Sequence, residues 1–534
     1  MSAKEGLLVP RASDEGQLSE GSDVRVSHST SQSARTLDVY WYILNISIGS
    51  GIYSLPSGIF MINGSVAIHL FLWVAGAIVA ASGLCMFVEF GLAMPRSGGE
   101  KNYLERVYRK PRHMITCVIA SLYTLFGGNP ASSLAFGSYV FHAAGYADAK
   151  ERWESRAIAV GCVTLVTIVH AFLPKWGLRA IRVLAYYKLI LLSFIICAGF
   201  AALAGRRHVP DPRNFENAFA IGNGEEDGYG YGGLHGYGTA LIRIGYAYGG
   251  VSSVTTILSE FRNPQKGLSV AAPLAMGTVA ILYVLVNIAY FAAIPKAQFA
   301  KADVVIAATF FENVFGDSVT TQVLSALIAV SNLGNVLAAS FDTSRMNQEL
   351  AKEGILPFSH LLASDKPCGA PTAALLLCWA STIVLLLAPP PGPIYDFLVD
   401  AAVYPRIVIG TLTCFGLLYL RLNPKENWSS PFKAPLVLVI IWAAHHAFVT
   451  AMPLVPPPSN AMQKSMPYFI APVIGIVILT IGVLYWVVWA KFLPKIRGYT
   501  IEATRAPGAD GAENVEFKKV QRNPTPNGSI VGGA

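Results

Sequence analysis

Glycines interrupt two long apolar segments, at Ser47-Ile48-Gly49-Ser50-Gly51-Ile52 and at Tyr246-Ala247-Tyr248-Gly249-Gly250-Val251. Each interruption lies about twelve residues inside its segment, ~18 Å at helical rise, which is close to the middle of a ~30 Å hydrocarbon layer. Unpaired backbone groups are costly in lipid, so irregular backbone at this depth is tolerated where it lines a cavity. A lone Gly-x-Gly in a membrane helix is more often a close-packing site, but two at matched depth predict a binding site.

The composition is typical of a membrane protein. Hydrophobic residues make up 53% of the 534 residues and charged residues 13%, with a mean hydropathy of +0.47. Soluble globular domains carry about 25% charged residues. Apolar runs of roughly 19 residues or more predict an all-α integral membrane protein with about twelve transmembrane helices. These runs begin near residues 37, 65, 114, 156, 179, 238, 268, 318, 371, 394, 434 and 467.

The distribution of basic residues predicts the orientation. Lysines and arginines crowd the loop from Arg96 to Arg112, between the second and third predicted helices, and such short basic loops stay in the cytosol. This bias and the basic tails account for the net charge of +8, so no nucleic-acid surface is expected. Both termini are predicted to be cytosolic, with disordered tails over residues 1–35 and 494–534.

The titratable residues predict neither a metal site nor an enzyme. Six of the seven cysteines lie within predicted helices and Cys368 lies in a predicted cytosolic loop, so we expect no disulfide framework and no bound metal. No cluster of histidines and carboxylates and no activated nucleophile stands near the interrupted segments. We therefore expect no cofactor and no catalysis.

The positions of the two interruptions predict an internal repeat. They fall in the first and sixth predicted helices, and a unit of five helices is odd, so the second unit enters the membrane from the opposite side. Inverted repeats of this kind are typical of transporters that bind their substrate at the midplane. We predict one repeat over residues 36–205, a second over 236–421, and two additional helices over 434–493.

The ends of the interrupted helices predict what is bound. The outer half of the first helix begins just after Gly51, so its free N–H groups and positive dipole end suit a carboxylate. A cation suits the carbonyl groups that end the inner half of the first helix. It also suits those that end the outer half of the sixth helix. A zwitterion satisfies both kinds of end at once.

Five short motifs carry a family resemblance. They are Ile48-Gly49-Ser50-Gly51-Ile52-Tyr53-Ser54-Leu55-Pro56, Met94-Pro95-Arg96-Ser97-Gly98-Gly99-Glu100, Tyr246-Ala247-Tyr248-Gly249-Gly250 with Glu260-Phe261-Arg262-Asn263-Pro264, Ala351-Lys352-Glu353-Gly354-Ile355-Leu356-Pro357, and Pro431-Phe432-Lys433-Ala434-Pro435. Over residues 36 to 495 the chain resembles the amino acid-polyamine-organocation superfamily, in its L-type amino acid transporter branch and particularly fungal methionine permeases. The resemblance implies a LeuT-type fold of two inverted five-helix repeats with discontinuous helices 1 and 6, and amino acid transport.

The resemblance also implies which backbone groups bind the substrate. The carboxylate is expected on the backbone N–H groups of three residues, Gly49, Ser50 and Gly51. The amino group is expected on carbonyls near three others, Ser47, Tyr246 and Gly249.

The same resemblance predicts the wall of the pocket. Tyr246 falls where similar transporters carry an aromatic gate over the substrate, although an interfacial or core tyrosine is the alternative, and Tyr248 is expected nearby. Relatives commonly have a large aromatic residue followed by Asn after the second interruption, whereas Val251 and Ser252 stand here. The pocket is therefore expected to be roomier or differently polar.

Lys188 is the most informative single charge. It lies about ten residues into the fifth predicted helix, ~15 Å deep, where a charge costs ~2.5–3.5 kcal/mol. Tyr186-Tyr187-Lys188-Leu189 resembles the stretch in which sodium-independent relatives place a lysine at the sodium position. We expect Lys188 to exchange a proton during transport or to replace the sodium ion as a fixed charge; an internal salt bridge is the alternative.

Four further polar residues lie within predicted helices. Arg406 is expected to pair with Asp400 or with a substrate carboxylate, the ion pair being favoured. Asn332 and Asn335 share a helix face, where amides hold helices together or line a pore. Arg243, in the outer half of the sixth helix, is a candidate gate residue.

Together these observations predict a plasma-membrane permease that imports neutral amino acids by alternating access. Transport is expected to be independent of sodium and coupled to H⁺. The partners expected are a small amino acid and the lipid bilayer. Relatives that are disulfide-linked to a heavy chain use a cysteine in the loop after the third helix, and residues 145–156 contain none. The alternatives are a polyamine, 4-aminobutyrate or other amine permease of the same superfamily, and a nutrient-sensing receptor that binds without much flux.

Overall fold

The structure is a computed structural model that describes residues 36–95, 98–146, 153–222, 229–230, 232–256, 264–316, 319–390, 394–457, 467–507 and 513–521. The predicted tail over residues 1–35 lies outside these ranges. So do Arg96 and Ser97 of the second motif and Glu260 to Asn263 of the third.

The described chain is helical almost throughout. Its helices are α1 Thr36–Ser47, α2 Ser50–Asn63, α3 Val66–Ala93, α4 Glu100–Val107, α5 Met114–Leu125, α6 Pro130–Ala143, α7 Trp153–Phe172, α8 Pro174–Leu203, α9 Gly233–Ala247, α10 Val251–Thr256, α11 Ala272–Ala293, α12 Lys296–Lys301, α13 Ile306–Phe315, α14 Val319–Lys352, α15 Ser359–Leu362, α16 Thr372–Leu387, α17 Ile394–Leu422, α18 Leu436–Ala451 and α19 Ile470–Trp486. Pro264–Lys266 and the π-helical turn Gly267–Ala271 lead into α11, while Val487–Phe492 and Leu493–Arg497 continue α19.

The predicted fold class, an all-α integral membrane protein, is confirmed. Ten helices of the described ranges are long and apolar enough to cross a membrane: Leu37–Asn63, Val66–Ala93, Met114–Ala143, Trp153–Phe172, Pro174–Leu203, Gly267–Ala293, Val319–Lys352, Ile394–Leu422, Leu436–Leu454 and Ile470–Arg497. The apolar helix α16 is shorter. The α9/α10 pair occupies the position of the sixth predicted helix.

Both predicted interruptions are present in the backbone. Helix α1 ends at Ser47 and α2 begins at Ser50, with Gly49 extended at φ −171° and ψ −146°. Helix α9 ends at Ala247 and α10 begins at Val251, with Gly250 at φ +116°, a conformation that side-chain-bearing residues rarely adopt. The first and sixth helices are therefore discontinuous.

The interrupted first helix lies at the centre of the bundle. Of the most apolar 18-residue stretch of Leu37–Asn63, 89% is buried inside the protein, compared with 22% for Leu436–Leu454 and 28% for Ile470–Arg497. Helices α18 and α19 therefore lie towards the periphery. The first interruption is enclosed by protein, which is the condition under which irregular backbone is tolerated at membrane depth.

The C-terminal segment differs from its predicted disorder. Strand β1, Tyr499–Pro507, pairs antiparallel with β2, Glu513–Gln521. The Phe517 amide donates to the Glu353 carbonyl at 3.0 Å, and the Phe517 ring lies 4.3 Å from the His113 ring. The high charge of this segment masked a short alternation in which Ile501 and Phe517 pack against the helix bundle.

Candidate functional site

One cavity of about 270 Å³ lies between the two interruptions. It is lined by Ser47 and Gly51 from the first interruption and by Tyr246, Gly249 and Gly250 from the second. Ligand pockets for small molecules span ~300–1,000 Å³. The size therefore suits a single small solute.

The start of α2 presents the N–H groups predicted to bind a carboxylate. The first N–H groups of a helix have no intrahelical acceptor, and Gly51 brings this end to the cavity wall. A Cβ on Gly51 would lie 2.7 Å from Ala247 Cα, and one on Gly49 would lie 2.0 Å from the Asn335 amide. Both glycines therefore allow close approach of neighbouring groups. Gly49 itself is packed behind the cavity wall.

Hydroxyl groups hold the carbonyls at both interruptions. The single proton of the Tyr283 hydroxyl is shared between Ser47 O at 2.5 Å and Ala247 O at 3.1 Å, so one bifurcated donor links the ends of α1 and α9. Ser47 Oγ donates to Gly249 O at 2.6 Å. Each of these carbonyl oxygens retains a second lone pair for a ligand.

Tyr246 is fixed by a hydrogen-bond network at the cavity wall. Its hydroxyl donates to Asn129 Oδ1 at 2.9 Å and lies 3.2 Å from both Ser50 Oγ and Ser132 Oγ. The two serine hydroxyls lie 2.9 Å apart. Asn129 also caps α6 by accepting from the Ser132 amide at 3.1 Å. The network thus joins α2, α6 and α9.

Lys188 and Asn335 both bind the carbonyls that end α1. Lys188 is fully buried and its Nζ donates to Asn45 O at 2.6 Å. The Asn335 amide nitrogen faces Ile46 O at 2.7 Å and Asn45 O at 3.2 Å, and its oxygen accepts from Ser132 Oγ at 3.2 Å. A cation at a helix C-terminus is favoured by the helix dipole. Within the described ranges no carboxylate lies within ion-pairing distance of Lys188.

Some of the remaining predicted residues line the cavity and others do not. Tyr248 and Ser252 line the cavity, whereas the side chain of Val251 lies outside what the structure describes. Asn335 lines the cavity, but Asn332 is buried away from it, and both amide atoms of Asn332 are without a hydrogen-bond partner in the described part of the chain. Only one of the two asparagines therefore reaches the site.

Arg406 lines the cavity, but its expected pairing with Asp400 is wrong. Asp400 instead accepts from Arg243 Nε at 3.1 Å and Nη2 at 3.0 Å, while Arg243 Nη1 lies 2.7 Å from Asp396. The Arg406 guanidinium lies 5.3 Å from the Tyr123 ring. The sequence does not reveal which helix Asp400 faces, and α9 places Arg243 beside it.

Two carboxylates accompany Arg406 at one end of the cavity. Glu100, at the start of α4, and Asp342 of α14 both line it there. Asp342 Oδ1 accepts from Thr256 Oγ1 at 3.0 Å. This charged end lies on the α10 side of the second interruption. The buried Arg243 lies on the other side, one turn before Tyr246 in α9.

Sequence reasoning missed the residues that brace the interruptions. Tyr283, Ser132 and Asn129 were not singled out, nor was Tyr395, whose hydroxyl donates to Ser50 O at 3.0 Å. One usable signal was present, because transmembrane tyrosines are enriched at the membrane interfaces. A tyrosine deep inside an apolar segment therefore indicates a hydrogen-bonding role.

Comparisons with known proteins agree with this architecture. The amino acid permease family matches residues 35–481. The high-affinity methionine permease of Saccharomyces cerevisiae is 36% identical over 483 residues, which cover 90% of this chain and 82% of that protein.

More distant relatives follow. The low-affinity methionine permease of the same yeast is 28% identical over 85% of this chain and 82% of its own length. The mouse (Mus musculus) Asc-type amino acid transporter 1 is 27% identical over 78% of this chain and 75% of its own length. The predicted resemblance is confirmed, and the chain belongs to the amino acid permease family of the amino acid-polyamine-organocation superfamily.

Proposed function

We propose that this protein imports neutral amino acids across the plasma membrane by alternating access, without sodium and coupled to protons. The observation that carries this proposal is the cavity of about 270 Å³ on which both helix interruptions converge. The homologous permeases and amino acid transporters support amino acid import. The same family membership supports a role in transport rather than catalysis.

The two interruptions supply opposite poles for a zwitterion. The N–H groups at the start of α2, near Gly51, donate to the carboxylate. The carbonyls at Ser47, Tyr246 and Gly249 accept the ammonium group through their free lone pairs. No net charge on the ligand is needed, which is why a neutral amino acid is the proposed substrate.

Lys188 is the proposed coupling group. Its ammonium occupies the carbonyl end of α1, where a bound cation would otherwise lie, and this supports transport without sodium. A buried charge costs ~2.5–3.5 kcal/mol even on the lenient insertion scale. With no described carboxylate to neutralise it, loss and return of a proton is the proposed response to opening of the cavity.

The ion pairs support an assignment of which route to the cavity is closed. With both termini in the cytosol, as we propose, Arg243, Asp396 and Asp400 lie on the extracellular side, and Arg243 is only 1% exposed there. Glu100, Asp342 and Arg406 then line the cytosolic end of the cavity. In this state the extracellular route is closed by ion pairs that must separate during transport.

The proposed repeats extend this scheme to the whole bundle. Residues 36–205 and 236–421 each begin with an interrupted helix, α1/α2 and α9/α10. Counting α16 and the α9/α10 pair with the ten long helices gives the proposed twelve spans. Rocking of one part of the bundle against the other would open each side in turn. No disulfide-linked heavy chain is proposed.

A second candidate is an amine permease, and one observation favours it. Glu100 and Asp342 bring two carboxylates to the cavity wall, as an extended cation would require. Arg406 lies at the same end and opposes a polyamine there. The amino acid is therefore the better substrate.

The test is uptake of labelled amino acids, 4-aminobutyrate and spermidine into transporter-deficient cells, with and without sodium, across external pH and with a protonophore. We expect uptake of neutral amino acids that persists without sodium and falls when the proton gradient is collapsed. Preferential spermidine uptake would favour the amine permease, and specific binding without uptake would favour a sensor.

Lys188→Ala tests the coupling group within the same assay. We expect transport to be lost or to become independent of external pH while the protein still reaches the cell surface. Surface labelling provides the control for expression. Normal pH-dependent uptake by this variant would remove Lys188 from the mechanism.

A further inference from the structure

One side of the cavity is lined by small and apolar residues. We define this apolar side by six residues from four helices: Gly76, Ala80 and Gly83 of α3, Gly245 of α9, Gly410 of α17 and Trp442 of α18. None of these side chains carries a charge. The apolar side adjoins the second interruption through Gly245, which directly precedes Tyr246, and His445 and His446 of α18 also line the cavity beside Trp442.

Glycines in α3 and α17 allow the helices on this side to pack closely. A Cβ on Gly83 would lie 2.1 Å from the Trp442 ring, and a Cβ on Gly76 would lie 2.2 Å from Ile244 Cγ2. A Cβ on Gly410 would lie 2.8 Å from His446 Nε2. Substitutions at these positions would disturb packing as well as the cavity.

Gly245 differs from the other glycines of the apolar side. It lines the cavity, yet a Cβ there would have no neighbouring atom within 4 Å. The space beside α9 is therefore open because residue 245 has no side chain. A Cβ at this position would therefore enter open space instead of meeting a neighbouring helix.

The other directions from the two interruptions are unsuitable for an apolar group. Towards α6 and α14, the polar side chains of Asn129, Asn335 and Tyr246 line the wall. At the charged end stand Glu100, Asp342 and Arg406. Covering such groups with an apolar side chain would remove them from water without replacing their hydrogen bonds.

We propose that an extended, apolar substrate side chain lies along the apolar side, and that Gly245 sets the length of side chain that is accepted. This inference rests on the proposed amino acid transport, which places the main-chain groups of the substrate at the two interruptions. The N–H and carbonyl groups at the interruptions then bind the carboxylate and ammonium groups that all amino acids share. The apolar side discriminates between their side chains.

The test compares Gly245→Val with the unmodified full-length protein in uptake of labelled methionine and labelled alanine. We expect the KM for methionine to rise at least about tenfold, equivalent to about 1.4 kcal/mol, while the KM for alanine stays within about twofold. Gly245→Ala should show the same selective effect to a smaller degree, because its side chain fills less of the space.

Gly277→Val is the matched control. Gly277 lies on an exposed part of helix α11, and a Cβ there also meets no atom within 4 Å. We expect no change for either substrate. Surface labelling of all variants separates transport from expression.

Two results would overturn the inference. Equal losses for methionine and alanine in Gly245→Val would mean that residue 245 affects the whole cycle rather than side-chain length, and unchanged kinetics for both would mean that the apolar side is not used. The proposed function is judged separately, by uptake into cells that carry the unmodified protein.

Discussion

The two helix interruptions share a sequence pattern but differ in how they are held. At the first, buried groups from other helices bind the backbone: Lys188 and Asn335 bind the end of α1, and Tyr395 binds the start of α2. At the second, the carbonyls of Ala247 and Gly249 accept from Tyr283 and Ser47. The second interruption is thus held in part by the first.

The difference suggests that the first interruption is a fixed support and the second a hinge. Helix α10 has six residues, and its last carbonyls accept from the backbone N–H groups of Gly98 and Gly99 at 3.1 and 3.2 Å. Gly250 supplies a left-handed backbone conformation directly before this short helix. Hinges are formed by a few such positions at element ends.

The largest expected effect comes from a steric clash between the two interruptions. In Gly51→Val the new side chain would overlap Ala247, whose Cα lies 2.7 Å from the Cβ position. We expect uptake of labelled amino acid to fall at least about 30-fold, because overpacking costs ~1–3 kcal/mol and shields the N–H end of α2. Gly161→Val, on an exposed helix face with open space around it, is the control. Unchanged substrate affinity would contradict the carboxylate assignment.

A second experiment examines the support of the first interruption. Asn335→Leu removes the donor to Asn45 O and Ile46 O and should lower the free energy of unfolding by about 1–3 kcal/mol. Asn332→Leu, in the same helix, replaces an amide without a described partner and should be neutral or stabilising. Thermal unfolding in detergent measures both. Equal destabilisation would show that Asn335 has no special part in the support.

The hinge is examined by Gly250→Ala. The positive φ of this residue and the 2.7 Å approach of its Cβ position to Ile46 Cγ2 should cost about 1–2 kcal/mol. If the second interruption moves during transport, the maximal uptake rate should fall about tenfold with little change in KM. Gly277→Ala serves as the control, and a change confined to KM would argue against a hinge.

The smallest expected effect comes from the hydroxyl shared by the two interruptions. Tyr283→Phe keeps the ring but removes the bonds to Ser47 O and Ala247 O, and a hydrogen bond contributes ~0.5–1.5 kcal/mol. We expect substrate affinity to weaken about fivefold. A variant with unaltered affinity and unaltered rate would show that the two interruptions are positioned independently.

The sequence was sufficient to predict the parts of the fold that are local. Gly49, Gly51, Gly249 and Gly250 mark the interruptions, and their depth follows from helical rise alone. The family motifs added the class of protein. The position of Lys188 in the middle of an apolar segment was likewise visible, and the structure brings it to the end of α1.

What could not be predicted depends on contacts between distant segments. Arg243 forms ion pairs with Asp396 and Asp400, which lie about 150 residues further along the chain. These pairs could not be predicted because hydrophobic periodicity does not show which helices are neighbours. The same holds for the hydroxyls of Tyr283 and Ser132. The C-terminal hairpin was missed because its stability depends on docking against Glu353 and His113.

Tyr283 has a consequence for the dimensions of the site. Since the Tyr283 hydroxyl lies within hydrogen-bonding distance of both Ser47 O and Ala247 O, it holds these two half-helix ends at a fixed spacing while that tyrosine stays in place. In the proposed mechanism, a fixed spacing suits only what every amino acid has in common, its main-chain groups. Differences between side chains would then have to be recognised elsewhere in the cavity.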